Sequence, residues 1–192
     1  MSDLWIFGYG SLMWRPGFSY EEAVPAQLVG AHRSLCVYSV VHRGSRRLPG
    51  LVLGLDTGGS CNGMAFRVCS TYARQTRHYL RAREQVTRVY REVERPVQLL
   101  DGGARPVRAL CFLIDQSHPQ YAGQLPVAEQ AFLVRRGRGM SGRNTDYVAN
   151  TVRHLSGMGI EEPRLNRLMP LVGIRKTVLQ ALPCEREPQP ES

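Results

Sequence analysis

Two features of this sequence could do chemistry. The first is Phe7-Gly8-Tyr9-Gly10-Ser11-Leu12-Met13-Trp14, where apolar and aromatic residues crowd around two glycines and a serine. Leu4-Trp5-Ile6-Phe7 reads as a buried strand that runs into this turn. A glycine turn can aim successive backbone N–H groups into one concavity, which suits a carboxylate or an oxyanion. Ser11 adds a hydroxyl, and a plain tight turn is the structural alternative. The second feature is Glu84, at the end of the helical stretch Tyr79-Leu80-Arg81-Ala82-Arg83. A helix C-terminus disfavours negative charge. Either Glu84 is exposed and paired with Arg81 or Arg88, or its pKa is raised so that it can act as a base.

Other chemistries fail on spacing. A dinucleotide fingerprint G-x-G-x-x-G would need glycine where Met13 stands, and an acidic residue about 20 positions on. No Gly-Lys-Ser/Thr phosphate loop is present, and Ser11 lacks the flanking glycines of a nucleophile elbow. Five cysteines (Cys36, Cys61, Cys69, Cys111, Cys184) and five histidines (His32, His42, His78, His118, His154) show no metal-ligand spacing, so no metal is expected. Reduced thiols in a cytoplasmic protein fit better. No signal peptide or membrane-spanning run is read.

The net charge is +9, and Lys176 is the only lysine. The arginines are scattered, with no basic block and no aromatic-interleaved RNA signature, so a surface attracting small anions is expected and nucleic acid is not. A length of 192 residues suits one domain with a full core. A single domain over 1–182 is expected, with a Pro- and Glu-rich disordered tail over 183–192.

The elements that must position these features follow from periodicity. Strands are predicted over Val24–Val29, Leu35–Val41, Leu51–Leu55, Cys61–Val68, Val86–Val97 and Val107–Ile114, with turns at Asp56–Ser60 and Asp101–Gly103. Short sequential strands suggest a curved antiparallel sheet or small barrel, in the α+β class. Helices are predicted over Thr71–Arg83 with Ser70 as cap, then Val127–Arg136, Asn144–Leu155 and Glu162–Leu182. The loop from Val41 to Gly50 is basic, either a solvated hairpin tip or a positive flank to an anion site. Gly137-Arg138-Gly139-Met140-Ser141-Gly142-Arg143-Asn144 is a reversal, with Ser141 or Asn144 as cap of the next helix.

Three segments together resemble the ChaC-like family of glutathione-specific γ-glutamylcyclotransferases. They are Trp5 to Phe18; His42-Arg43-Gly44-Ser45 with Pro49-Gly50, followed by Tyr79 to Glu84; and Gly139 to Tyr147. The resemblance runs from Trp5 to about Leu182. It implies a γ-glutamylcyclotransferase-like fold, a small mixed β-barrel with packed helices. It also implies a lyase-class enzyme that cyclises the γ-glutamyl group of glutathione to 5-oxoproline, releasing cysteinylglycine without a cofactor. Glu84 would be the catalytic base, and Phe7, Gly8, Tyr9, Gly10, Ser11 and Leu12 would hold the γ-glutamyl group. Tyr147, Arg43 and, less directly, Asn144 would line the pocket. Other γ-glutamyl amines are the alternative substrates, and a basic nucleic-acid-binding module is the alternative of a different class. The sequence departs from the family where a glycine is common before the tyrosine, since Arg88-Val89 precede Tyr90.

Overall fold

Alternating apolar residues pull the N-terminal half of the chain into a closed barrel. The computed structural model describes residues 2–84, 87–103 and 105–174. Its strands are β1 (Leu4–Gly8), β2 (Glu22–Ser39), β3 (Gly50–Val68), β4 (Tyr90–Leu99) and β5 (Pro106–Ile114), in barrel order β1-β3-β2-β4-β5. β1 lies antiparallel to β3, with Phe7 opposite Ala65, and parallel to β5, with Ile6 opposite Leu110. A parallel β3–β5 contact pairs Leu55 with Leu113. The sheet is therefore mixed, as the resemblance implies.

The chain forms two compact units: 2–33 with 55–115, and 34–54 with 116–174, over the described residues. In the first, Ile6, Leu12, Phe18, Phe66, Val68, Leu80, Leu110 and Phe112 make the core. Helix α1 (Ser70–Glu84) enters that core through Leu80, which is fully buried. Burying such a side chain contributes about 2 kcal/mol. Ser70 is the first helical residue rather than a cap. Its N–H donates to Asp3 Oδ1 at 3.1 Å, so a carboxylate from ahead of β1 stabilises the helix start.

The predicted strand pairs Val24–Val29 and Leu35–Val41, and Leu51–Leu55 and Cys61–Val68, are each one long strand. Gly30, Gly58 and Gly59 take positive φ (88°, 86° and 70°) and bend β2 and β3 without ending them. The predicted turn at Asp56–Ser60 is therefore strand. Strand β4 begins at Tyr90, and Val86 lies outside the described residues. Pro96 does not close β4, because it falls just beyond the pairs that β4 makes with β2, where a missing N–H is tolerated.

In the second unit, helices α2 (Val127–Arg136), α3 (Asn144–Gly157) and α4 (Pro163–Leu171) bury Ala131 and Val134, Val148 and Leu155, and Leu165 and Leu168 respectively. A two-residue ladder, β6 (Arg138–Gly139) with β7 (Gly142–Arg143), forms the predicted reversal. The helix predicted to reach Leu182 is described as α4 and a turn at Val172-Gly173. Its remainder and the predicted tail lie outside the described residues.

Candidate active site

The glycine turn is built from underneath. β1 ends at Gly8, and Ser11–Met13 form one 3-10 turn, closed by the Met13 N–H to Gly10 O bond at 2.9 Å. Phe7, Leu12 and Met13 are buried and Tyr9 is 6% exposed, so the side chains anchor the turn while Ser11 faces out. The N–H groups of Ser11 and Leu12 come before the first internal bond of the turn, so the turn offers them no acceptor. Gly63 on β3 passes directly beneath. A methyl at that position would overlap Gly8 O and the Phe7 ring.

Two arginines that sequence reasoning did not single out hold the turn in place. Arg33 on β2 is 3% exposed, and its Nε donates to Tyr9 O at 2.5 Å and its Nη2 to Asn62 O at 2.7 Å. A buried guanidinium is costly unless its donors are satisfied, so these carbonyls are fixed in position by the charge they accept. Its signal in the sequence is phase: Ala31, Arg33 and Leu35 fall on the same inward alternation of β2. Arg83 is the second. Its Nη1 donates to Arg15 O (2.6 Å), Pro16 O (3.2 Å) and the Tyr79 hydroxyl (3.0 Å), and its Nη2 donates to Ser11 Oγ (3.1 Å). The last turn of α1 is thereby tied to the glycine turn. Arg83 closes the same helix face as Thr76, Tyr79 and Leu80, as the spacing predicts.

Glu84 follows Arg83 directly. Its side chain is 17% exposed, and Arg83 Nε lies 3.3 Å from its Oε1. Burial pushes its carboxyl above the ordinary value, and the Arg83 charge pulls it part of the way back. The expected Arg81 partner is engaged elsewhere: Arg81 and Arg77 both bond Glu92 of β4, at 2.5 and 2.7 Å. A largely buried carboxyl whose pKa desolvation raises above the ordinary carboxylate value holds a proton more readily, which suits a group that takes a proton and returns it.

The second unit holds the other predicted contacts. Arg43 lies over the Tyr147 ring, 5.4 Å from its centroid, and donates to the carbonyls of Ser141 and Arg143. The Tyr147 hydroxyl accepts the Leu53 N–H at 3.0 Å. Asn144 is fully buried and is not a cap. It accepts from Leu51 N–H and donates to Leu51 O, both at 2.7 Å. Ser141 does not cap α3 either, since its hydroxyl meets His42 Nδ1 at 3.0 Å. The structure thus gathers Phe7–Leu12 and Glu84 in one unit, and Arg43, Asn144 and Tyr147 in the other. Among the described residues, no group of three or more His, Cys, Asp or Glu is placed to hold a metal ion.

Comparison with known proteins supplies the lineage. A family model described as ChaC-like protein matches residues 4–175. The chain is 34% identical to the glutathione-specific γ-glutamylcyclotransferase of Escherichia coli strain K12, over 94% of this chain and 76% of that protein. It is 32% identical to the human glutathione-specific γ-glutamylcyclotransferase 1, over 94% of this chain and 81% of that protein. The crystal structure of a yeast γ-glutamyl cyclotransferase specific to glutathione superposes with a TM-score of 0.80 at 22% identity, covering 90% of this chain and 96% of that one. It shares the fold. With the family model spanning nearly all of the described chain and relatives above 30% identity, this chain belongs to the ChaC-like family.

Proposed function

We propose that this protein cyclises the γ-glutamyl group of glutathione, releasing 5-oxoproline and cysteinylglycine, with Glu84 as the proton carrier. The observation that carries the reading is Glu84 itself. It is a largely buried carboxyl with a raised pKa, placed next to the arginine that grips the glycine turn. The names of the relatives support the choice of substrate.

The substrate brings its own nucleophile. Its α-amine attacks its γ-carbonyl, a five-membered lactam closes, and the amide C–N bond to the cysteine breaks. One proton leaves the α-amine and one reaches the departing nitrogen, so the balance needs no water, metal or cofactor. A well-oriented intramolecular attack is worth about 7–11 kcal/mol of barrier. The protein's task is to fold the substrate and carry the proton. In this reading the backbone of Phe7–Leu12 holds the γ-glutamyl group, with Ser11 and Leu12 N–H facing its carboxylate or the developing oxyanion. Glu84 takes the proton from the α-amine and returns it to the leaving nitrogen. Arg43 and Tyr147 carry a supporting role in the second unit. The free thiols of Cys36, Cys61, Cys69 and Cys111 suit a reducing cytoplasmic setting.

The test is release of 5-oxoproline by the purified protein, with glutathione and γ-glutamyl-alanine compared side by side. Turnover of glutathione alone is the expected result. Faster turnover of γ-glutamyl-alanine would move the substrate to other γ-glutamyl amines, and no product from either would overturn the reading.

A further inference from the structure

Many arginines here are already neutralised. Arg67 faces Asp3 and Glu22, Arg77 and Arg81 share Glu92, Arg105 faces Glu22 and Asp101, and Arg108 faces Glu94. The second unit contains the opposite arrangement. A cleft of about 690 Å³, bounded by the end of α2, the β6–β7 ladder, α3 and the turn after α4, is lined by Arg135, Arg136, Arg138, Arg143 and Arg153. None of the five pairs with a carboxylate among the described residues. Among the described lining residues, Asp146 is the only carboxylate.

Arg153 supplies a second, independent observation. Its Nη2 donates to Asn150 Oδ1 at 2.7 Å, but its Nε is buried and has no partner. A buried donor left unmade is costly, so a shift of the Arg153 side chain toward an acceptor in the cleft would be favoured. Guanidinium groups present paired N–H donors that match phosphate oxygens two at a time. The surplus of positive charge over Asp146 suits a polyanion better than a single carboxylate. The volume is that of a small-molecule site.

We propose that this cleft binds a small anion carrying two or more linked phosphates, held by its arginine guanidinium groups. The proposal does not depend on the cyclisation chemistry. Linked phosphates could come from a nucleotide or from an inorganic polyphosphate, and the concave, self-contained cluster favours either over a nucleic-acid strand.

The experiment is calorimetric titration of the full chain with tripolyphosphate, with ATP and with a short single-stranded RNA, at fixed ionic strength. Saturable one-to-one binding of tripolyphosphate or ATP is expected. Tighter ATP binding identifies the nucleotide as the source, and equal affinities identify the phosphate chain alone. The paired surface substitution Arg135→Gln with Arg138→Gln is expected to weaken binding about tenfold or more. Arg153→Gln is expected to do the same, with circular dichroism confirming the fold of each. Absence of saturable binding, or binding that ignores all three substitutions, would overturn the proposal. So would RNA binding more tightly than tripolyphosphate with a steep salt dependence, which would make this face a nucleic-acid surface.

Discussion

The glycine turn of β1 and the glycine-rich reversal between α2 and α3 look alike in sequence. Both mix glycines with arginine, serine and aromatic neighbours. The structure uses them in opposite ways. In the reversal, two of the glycines are close-packing contacts, since a side chain at Gly137 would run into Arg43 O and Asn144 and one at Gly139 into Val41 O. The polar side chains there are consumed by the protein's own backbone, with Asn144 on Leu51 and Tyr147 on Leu53. In the β1 turn, the gripping groups come from outside, and Arg33 and Arg83 take its carbonyls and a hydroxyl. The N–H face of Ser11 and Leu12 is not used by the turn. A loop whose donors are absorbed internally is a joint, and a loop held only by its acceptors can receive an anion.

The largest effect is expected from Glu84→Gln. Turnover to 5-oxoproline is expected to fall by about 10³-fold or more while the fold is kept, as measured by product formation and circular dichroism. Near-normal turnover would remove Glu84 from the mechanism. Asn144→Ala leaves the Leu51 N–H and C=O buried and unpaired, so urea unfolding should show a loss of about 3 kcal/mol. A fall in kcat of the folded variant instead would make Asn144 part of the site rather than a joint. Arg83→Gln should cost about 10²-fold in kcat with a smaller effect on KM, because a misplaced proton carrier slows chemistry more than binding. A pure loss of stability with kcat retained would reduce the Arg83 bonds to packing.

The raised pKa of Glu84 gives a subtler prediction. In the proposed mechanism Glu84 must be ionised to act as base, so kcat should rise with pH along a limb centred above the ordinary glutamate value of about 4.3. Stability runs the other way. The folded state holds this proton more tightly than the unfolded one, so the wild type should lose stability as pH climbs from the ordinary value through the raised one. Glu84→Gln should be free of that loss, and the two should converge at lower pH. Paired unfolding curves across pH check the sign. The smallest effect expected is at Arg88, which takes φ of 57° four residues past Glu84. Arg88→Gly should relieve that conformation and gain up to about 1 kcal/mol, read as a rise in Tm.

Local signals were legible in the sequence, and long-range ones were not. β1, α1 and α2 follow from apolar spacing within a residue or two. Gly30 and Gly58-Gly59 read as strand ends because a glycine that bends a strand and one that ends it look the same without the partner strand. Barrel closure through parallel β1–β5 pairing joins residues about a hundred positions apart, which no local window holds. Glu84 stood out because a carboxylate opposes the helix dipole. Its expected partner Arg81 was lost to Glu92, a residue that only folding brings beside α1. Arg33 was hidden because a charged side chain on the inward phase of a strand has no meaning until carbonyls arrive to receive it.

The passage of Gly63 beneath Gly8 sets a limit on how this enzyme family member could be re-engineered. The height of the glycine turn is limited by a missing methyl group on a neighbouring strand as well as by the turn's own residues. Swapping loop residues alone would alter its lining and leave that limit in place. Filling position 63 would raise the floor beneath a loop whose own sequence is unchanged.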